Sequence, residues 1–228
     1  PLTIPSAAHL VLEDAAVPVC LLTDEVPDAV PDREGLARVD IALLDGRIAG
    51  ITAHGALPAP SAARTADLDG IQVWPCFVDM HTHLDKGHIW PRAENPDGTF
   101  AGALAAAMAD RAERWSAADI AERMSFALRA AFAHGTAAIR THLDSLSPLH
   151  RISWPQFATM REQWRGRIEL QAVTILPLAQ FAGRAGDELA DCVAAHGGVL
   201  GGVALPSATL DAELDRVARR AGSAVRRG

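Results

Sequence analysis

What the sequence lacks excludes several classes of protein. Its 228 residues contain 21 Lys and Arg against 28 Asp and Glu, so the net charge is −7 and no basic excess favours nucleic-acid binding. The three cysteines are widely spaced and form no C-x-x-C pair, which argues against a disulfide framework and favours a reducing, cytoplasmic compartment. No basic segment followed by an apolar run is found near residue 1, and glycines and a proline interrupt the longest uncharged stretch, 192–210. We therefore expect neither a signal peptide nor a membrane span.

Two phosphate-binding motifs are also missing. No G-x-G-x-x-G follows the first predicted strand of the α/β region, which weakens the case for a dinucleotide-binding fold. No G-x-x-x-x-G-K-[ST] occurs either, because the only lysine, Lys86, lies in a different context. A nucleotide-binding function is therefore not indicated.

The first 70 residues have the pattern of a small β module. Residues 39–43 alternate with period two, Asp45-Gly46 is a hairpin turn signal, and residues 47–51 can return as the partner strand. We therefore predict a β module over 1–70 and a second domain over 71–228.

From residue 71 onward, predicted strands and helices alternate. Apolar stretches alternate with helical segments, and Ser116, directly after the helix 101–115, is a candidate N-cap for a second helix. Four successive βα units predict a parallel sheet covered by helices, either a doubly wound sheet or part of a (βα)8 barrel. The strands are predicted over 71–80, 136–143, 168–176 and 199–205, and the helices over 101–115, 116–135, 155–165, 186–196 and 210–221.

The strongest chemical signal is His81-Thr82-His83 at the end of the first of these strands. Residues i and i+2 of a strand point to the same face, so the two imidazoles are expected to converge. Neighbouring imidazoles on one face can supply two ligands to a metal ion. Sites of α/β barrels lie at the carboxyl ends of the strands, where this pair is predicted.

At this point the sequence resembles a known family. Residues 74–86, W-P-C-F-V-D-M-H-T-H-L-D-K, resemble the motif on the first barrel strand of the amidohydrolase superfamily and are most similar to the bacterial cytosine deaminase group. Residues 96–100 resemble an active-site loop of that group, residues 112–115 match it in spacing, and residues 140–144 resemble its second-strand motif. The β module is also similar, so the resemblance extends over nearly the whole chain.

The resemblance implies a metal-dependent hydrolase that cleaves a C–N bond on a ring. His81 and His83 match two ligands of one divalent ion, Fe or Zn, whose bound water has its pKa lowered to about 7. The predicted fourth strand ends without the lysine that binuclear members carry, so a single metal is expected.

The resemblance places the other ligands and the proton-shuttling Glu after the fourth strand. No catalytic residue is therefore assigned, and we expect the first half of a (βα)8 barrel, truncated before strand 5 and inactive alone. A non-catalytic half-barrel is the alternative, and its two unpaired parallel edges would require a partner. In its full-length form, the protein is expected to be a homo-oligomer that acts on a small heterocycle, with neither nucleic acid nor membrane as a partner.

Three residues are candidates for substrate binding. Lys86 is expected at the mouth of the pocket, and His142 ends the second strand at the same end of the sheet. The resemblance aligns Leu178 with a Gln of the cytosine deaminases, and a leucine cannot hydrogen-bond to a pyrimidine edge. Cytosine is therefore disfavoured, and another aminated heterocycle or an N-alkyl amide on a triazine-like ring stays open.

Overall fold

The computed structural model describes residues 3–22, 26, 28–56 and 62–225. The chain divides into two compact units, Pro1–Pro75 and Cys76–Gly228. The predicted boundary, between 70 and 71, lies five residues before the observed one. No helix of the described residues is both long and apolar enough to cross a membrane.

The first unit is a four-stranded sheet. Its strands are β1 (His9–Pro18), β2 (Leu36–Leu44), β3 (Arg47–Ala53) and β4 (Arg64–Asp67), in the order β3-β2-β1-β4. β2 pairs antiparallel with both neighbours, and β4 pairs parallel with β1. The predicted hairpin between β2 and β3 is confirmed, since Asp45 and Gly46 both have positive φ angles, 49° and 75°.

The second unit contains a parallel sheet with helices packed against it. Its strands are β5 (Phe77–Thr82), β6 (Thr136–Asp144) and β7 (Glu169–Ile175), in that order. The helices are α1 (Phe100–Arg114), α2 (Ala117–Ala133), α3 (His150–Gln163), α4 (Gly183–Ala195) and α5 (Leu210–Val225).

The alternation of residues along β6 separates the core from the site. Ile139, Thr141 and Leu143 are buried, and the two hydrophobic residues among them belong to the core cluster that includes residues of the covering helices. His142 and Asp144 alternate with these residues and lie on the opposite face of the sheet. The polar face of the sheet therefore carries the candidate functional side chains.

The prediction of the α2 cap is confirmed. The Ser116 side chain accepts a hydrogen bond from the backbone N–H of Asp119, and Ile120, Met124 and Leu128 are fully buried on one face of the helix. This helix is thereby fixed from its first turn, which lies at the end of the sheet that bears the site.

The first predicted strand differs from the observed one in extent and burial. β5 covers Phe77–Thr82 rather than 71–80, and Phe77, Val78 and Met80 are all exposed. β5 is hydrogen-bonded to β6, and no other described strand pairs with its second edge. The prediction of a buried strand here was wrong because burial depends on a second neighbour.

The fourth predicted strand is present only as isolated bridges. Val199 pairs with Val173 and Val203 with Pro177, both in parallel orientation. Between them, the Thr174 hydroxyl oxygen accepts from Gly201 N–H (2.8 Å) and donates to the Gly201 carbonyl (2.6 Å). A side chain thus takes hydrogen bonds that a continuous ladder would use.

The third predicted helix begins earlier than expected. Proline is favoured in the first turn of a helix, so the sequence indicated a start at Pro155 with His150 in a loop. In the structure α3 begins at His150, which is buried, and Pro155 lies inside the helix.

Candidate metal and substrate site

Two histidines lie side by side at the carboxyl end of β5. His81 is in the strand, and His83 follows its last residue, Thr82. The centroids of the two imidazole rings are 5.3 Å apart, with their planes at 83°. The sequence predicts a pair of metal ligands at this position.

A third imidazole joins the pair from the neighbouring strand. β5 and β6 are parallel, and Thr82 lies opposite Thr141 at the last paired position. His142 follows Thr141, and its ring stacks on that of His81 with centroids 4.0 Å apart, and lies 5.9 Å from the ring of His83. Three histidine rings therefore share one end of the parallel sheet.

One hydrogen bond determines how His83 can act. Its Nδ1 lies 2.9 Å from the backbone carbonyl oxygen of His142. Because a carbonyl oxygen only accepts, this geometry assigns the proton to Nδ1 and leaves the Nε2 lone pair free to bind a cation. Burial lowers the pKa of His83, although the hydrogen bond to the carbonyl opposes this, so the neutral form that binds metals is favoured.

Burial also lowers the pKa of His142. The two neighbouring histidines, His81 and His83, add to this effect. The Nδ1 atom of His142 is buried and has no hydrogen-bond partner within the described residues, so at most its Nε2 is left for a polar ring placed beside it.

The turn after the histidine pair is fastened to the end of β6. Leu84 N–H donates to Thr141 Oγ1 (3.0 Å), and Asp144 N–H donates to Asp85 Oδ2 (2.8 Å). Lys86 Nζ forms an ion pair with Asp144 Oδ1 at 2.9 Å. The turn that carries His83 is thus held by backbone and side-chain bonds beyond the point where the β5–β6 ladder ends.

Asp85 is the most buried acidic group of this turn. It has no exposed surface, and burial together with the nearby Asp144 charge raises the pKa of Asp85 to about 7. Its Oδ1 has no hydrogen-bond partner within the described part of the chain. The Asp85 backbone carbonyl accepts from the guanidinium of Arg123 on α2, which is ion-paired with Asp119 at 2.7 Å.

The histidine pair fits part of a metal site. Neutral imidazoles suit both iron and zinc, and His83 presents a free Nε2. Within residues 3–22, 26, 28–56 and 62–225, no group of three or more His, Cys, Asp or Glu side chains is arranged to hold a metal ion. The described residues thus form no complete set of ligands, and the assignment of His81 and His83 as two of them stays a prediction.

The predicted substrate-binding residues lie in three different settings. His142 stacks on His81, and the Lys86 side chain is about three-quarters buried in its ion pair with Asp144. Leu178 begins a 3₁₀ turn, Leu178–Phe181, just after β7 and is buried. Its Cδ2 would lie 2.7 Å from a Cβ added at Gly202, so the leucine packs closely against that backbone.

Sequence reasoning missed a carboxylate that connects these elements. Asp144 binds Lys86 through Oδ1 and Arg111 of α1 through Oδ2, the latter at 3.0 Å. An acid directly after the second strand is a usable signal, because strand ends meet at one edge of a parallel sheet. No sequence pattern distinguishes Arg111 from Arg114 on the same helix, so this partner could not be found.

The comparison with known sequences gives one strong match. No protein-family model matches the chain. It is 49% identical over 225 residues to a pterin deaminase from Rhizobium rhizogenes strain K84, a match that covers 96% of this chain and 49% of that protein. The chain therefore spans about half the length of this relative.

Solved structures share the fold over a similar span. N-isopropylammelide isopropylaminohydrolase from Burkholderia multivorans has 25% identity and a TM-score of 0.68, covering 97% of this chain and 51% of its own. A 5-methylcytosine deaminase from Klebsiella pneumoniae, liganded with 5-fluorocytosine, has 22% identity and the same TM-score of 0.68, covering 94% and 49%. The prediction of the first half of a (βα)8 barrel behind a β module is confirmed by these matches.

The sequence match and the fold agree with the resemblance seen in residues 74–86. The relatives are named as deaminases and as an aminohydrolase. The chain is therefore related over nearly its whole length to the deaminase-like group of the amidohydrolase superfamily.

Proposed function

We propose that this chain carries the first part of the active site of a metal-dependent amidohydrolase that removes an amino group from a nitrogen heterocycle. The observation that carries the proposal is the pair of His81 and His83, placed at the carboxyl end of a parallel strand with His83 Nε2 free. The 49% identity to a pterin deaminase supports a hydrolytic deamination.

His81 and His83 would hold one divalent ion, Fe or Zn. When bound, such an ion lowers the pKa of a water molecule to about 7 and so supplies a hydroxide nucleophile. The chain's own contribution is orientation. The His142 carbonyl holds the Nδ1 proton of His83, and the turn bound to β6 limits how far that ring can move.

Lys86, His142 and Leu178 are the proposed substrate contacts. Neutral His142, stacked on His81, can hydrogen-bond to the edge of a flat heterocycle next to the metal ligands. Leu178 is buried in this structure and has no hydrogen-bonding group, which disfavours recognition of a pyrimidine edge. Lys86 keeps a positive charge near the mouth, partly balanced by Asp144. Pterin, the substrate named for the Rhizobium relative, is the first compound to test.

A second candidate reaction is the hydrolysis of an N-alkylamino group. It is favoured by the match to N-isopropylammelide isopropylaminohydrolase, with 25% identity across 97% of this chain. Both reactions cleave a C–N bond on a ring and differ in the leaving group, ammonia or an alkylamine. The identity of the released amine therefore separates them.

Either reaction requires further metal ligands, since the described residues contain no group of three or more His, Cys, Asp or Glu that could hold the ion. It also requires a general base, which the resemblance places after the fourth strand. We propose that a polypeptide segment equivalent to the other half of the Rhizobium relative supplies them. The alternative, a non-catalytic half-barrel, predicts binding to such a partner without turnover. The homo-oligomeric state, the cytoplasmic location and the choice of metal remain predictions.

A complementation experiment tests this proposal. The chain is combined with the second half of the Rhizobium pterin deaminase in the presence of Fe²⁺ or Zn²⁺. The release of amine is then measured with pterin, cytosine and N-isopropylammelide as substrates. We expect no release by the chain alone, ammonia from pterin with the mixture, and loss of that activity in the His81→Ala variant.

The matched control is the Rhizobium enzyme split at the same point and recombined. If that control is active while the mixture forms a complex but releases no amine, the non-catalytic alternative is supported and our proposal fails. Turnover by the chain alone would contradict the claim that it supplies only two metal ligands.

A further inference from the structure

Regular pairing between β5 and β6 stops just before His83. The last paired residues are Thr82 and Thr141. Beyond them the backbone of the turn has no ladder to hold it, yet a metal ligand must keep its ring nitrogen within tenths of an ångström of one position. Other bonds must therefore hold His83.

Asp144 provides the largest share of those bonds. Its backbone N–H donates to Asp85 Oδ2 (2.8 Å), and its Oδ1 binds Lys86 Nζ (2.9 Å). Asp144 thus binds two consecutive residues of the turn. Its other oxygen binds Arg111 Nη1 of α1 at 3.0 Å. The Asp144 side chain is only 15% exposed, and those of Lys86 and Arg111 are 24% and 21% exposed, so solvent weakens these pairs less than fully exposed ones.

We infer that Asp144 is a positioning residue for His83. By fixing Asp85 and Lys86 it holds the turn against β6, and this keeps His83 Nδ1 within hydrogen-bond distance of the His142 carbonyl. It thereby selects the tautomer that leaves His83 Nε2 free. Partners that orient a ligating histidine commonly change metal affinity 10- to 100-fold when they are removed, about the effect expected here.

Asp144→Asn tests this directly. The amide keeps the size of the carboxylate, but it cannot accept from Lys86 and Arg111 at once without turning its N–H₂ group toward a cation. The turn should loosen and the hydrogen bond from His83 should be lost in part of the molecules. Lys86→Met is the second variant, because it removes one ion pair and leaves the Asp144 carboxylate and its pair with Arg111 in place. Both variants keep the backbone bond from Asp144 to Asp85.

The first readout needs neither metal nor substrate. Proton–nitrogen correlation spectra of the full chain with ¹⁵N-labelled histidine, recorded with a chelator at a pH above about 8 where imidazole is neutral, report the tautomer of His83. His83→Gln assigns the signal. We expect a single Nδ1–H tautomer in the wild type and a mixture in both Asp144→Asn and Lys86→Met.

The second readout is a Zn²⁺ titration followed by the same signals, in which both variants should bind about 10-fold more weakly or worse. The control is Glu188→Gln, because Glu188 also binds two cations, Arg151 (2.9 Å) and Arg184 (3.2 Å), but lies on α4. It should leave the tautomer and the affinity unchanged.

The inference fails if both variants keep the wild-type tautomer and bind Zn²⁺ within twofold of the wild type. It also fails if both variants unfold, since Asp144 would then serve overall stability rather than the position of one ring. The inference rests on the proposed function only in taking His83 to be a metal ligand. Because the tautomer is measured without metal or turnover, a negative complementation experiment would leave this result standing.

Discussion

Replacing Gly198 with alanine should destabilise the second unit, because the glycine leaves room for the indole ring of Trp154. A Cβ built at Gly198 overlaps Cζ3 and Cη2 of that ring and lies 3.0 Å from Val193 Cγ1. Carbon atoms in contact are about 3.5–4.0 Å apart, so the ring or the backbone would have to move.

The ring has little freedom to move. Trp154 is fully buried, and its Nε1 donates to Ser145 Oγ at 3.1 Å. Ser145 is itself buried and donates to the Leu143 carbonyl at 2.8 Å, so both ends of this chain of hydrogen bonds are fixed. Overpacking costs about 1–3 kcal/mol, and loss of the indole hydrogen bond about 1 kcal/mol more. We expect a total of about 2–4 kcal/mol.

Urea unfolding and thermal melting measure this loss. Each kcal/mol lowers Tm by about 2–4 °C in a domain of 150–250 residues, so Gly198→Ala should lower Tm by roughly 4–16 °C. The matched control is Gly50→Ala, where an added Cβ meets nothing within 4 Å and the φ angle is not positive. That variant should stay within about 0.5 kcal/mol of the wild type.

A double-mutant cycle identifies the cause. Trp154→Phe removes the part of the ring that Gly198 faces, so the alanine should cost much less in that background. A loss below about 0.5 kcal/mol for Gly198→Ala, or the same loss in both backgrounds, would refute the overlap as the source of the effect.

Two pH-dependent predictions concern other parts of the chain. The hydrogen bond from His54 to Asp40 raises the pKa of His54, so its stabilisation is complete below the unfolded pKa of about 6.5 and is lost as pH rises through the folded value. The difference in unfolding free energy between wild type and His54→Gln should therefore shrink above that pH, and a constant difference would contradict it. The hydrogen bond from Arg92 lowers the pKa of Asp119, so this stabilisation is present above the unfolded pKa of about 3.9 and is lost as pH falls through the folded value. The unfolding free energy of Arg92→Met should consequently change less with pH in the acid range than that of the wild type. If the two proteins lost stability equally as pH fell, the Arg92–Asp119 pair would not be the cause.

Elements defined by neighbours in sequence were predictable. The hairpin at Asp45-Gly46 needs only two residues with positive φ, and the start of α2 needs only the Ser116 cap and its apolar stripe. Elements defined by neighbours in space were not. The exposure of β5 depends on a strand partner, and the stretch 199–203 loses ladder bonds to the hydroxyl of Thr174, which no local pattern reveals.

The same division holds at the site. His81 and His83 are two residues apart, so their shared face follows from strand geometry alone. His142 could be placed near them because the carboxyl ends of parallel strands meet at one edge. The link from Asp144 to Arg111 depends on how α1 packs, and the sequence contains no signal for it.

The register of the sheet explains why the site residues meet despite their distance in sequence. Thr82 pairs with Thr141, a separation of 141 − 82 = 59 residues. The bonds beyond the ladder keep nearly the same separation: 57 for Leu84 to Thr141, 59 for His83 to His142, and 58 for Lys86 to Asp144. The turn therefore continues the alignment of the strands after their regular pairing has ended. It follows that changes of length in the mostly exposed stretch 94–98, which lies after that turn, leave the site intact as long as β5 and β6 keep their pairing. Deletion of one residue within β6, in contrast, shifts every bond that holds His83 and turns the face bearing His142 toward the core.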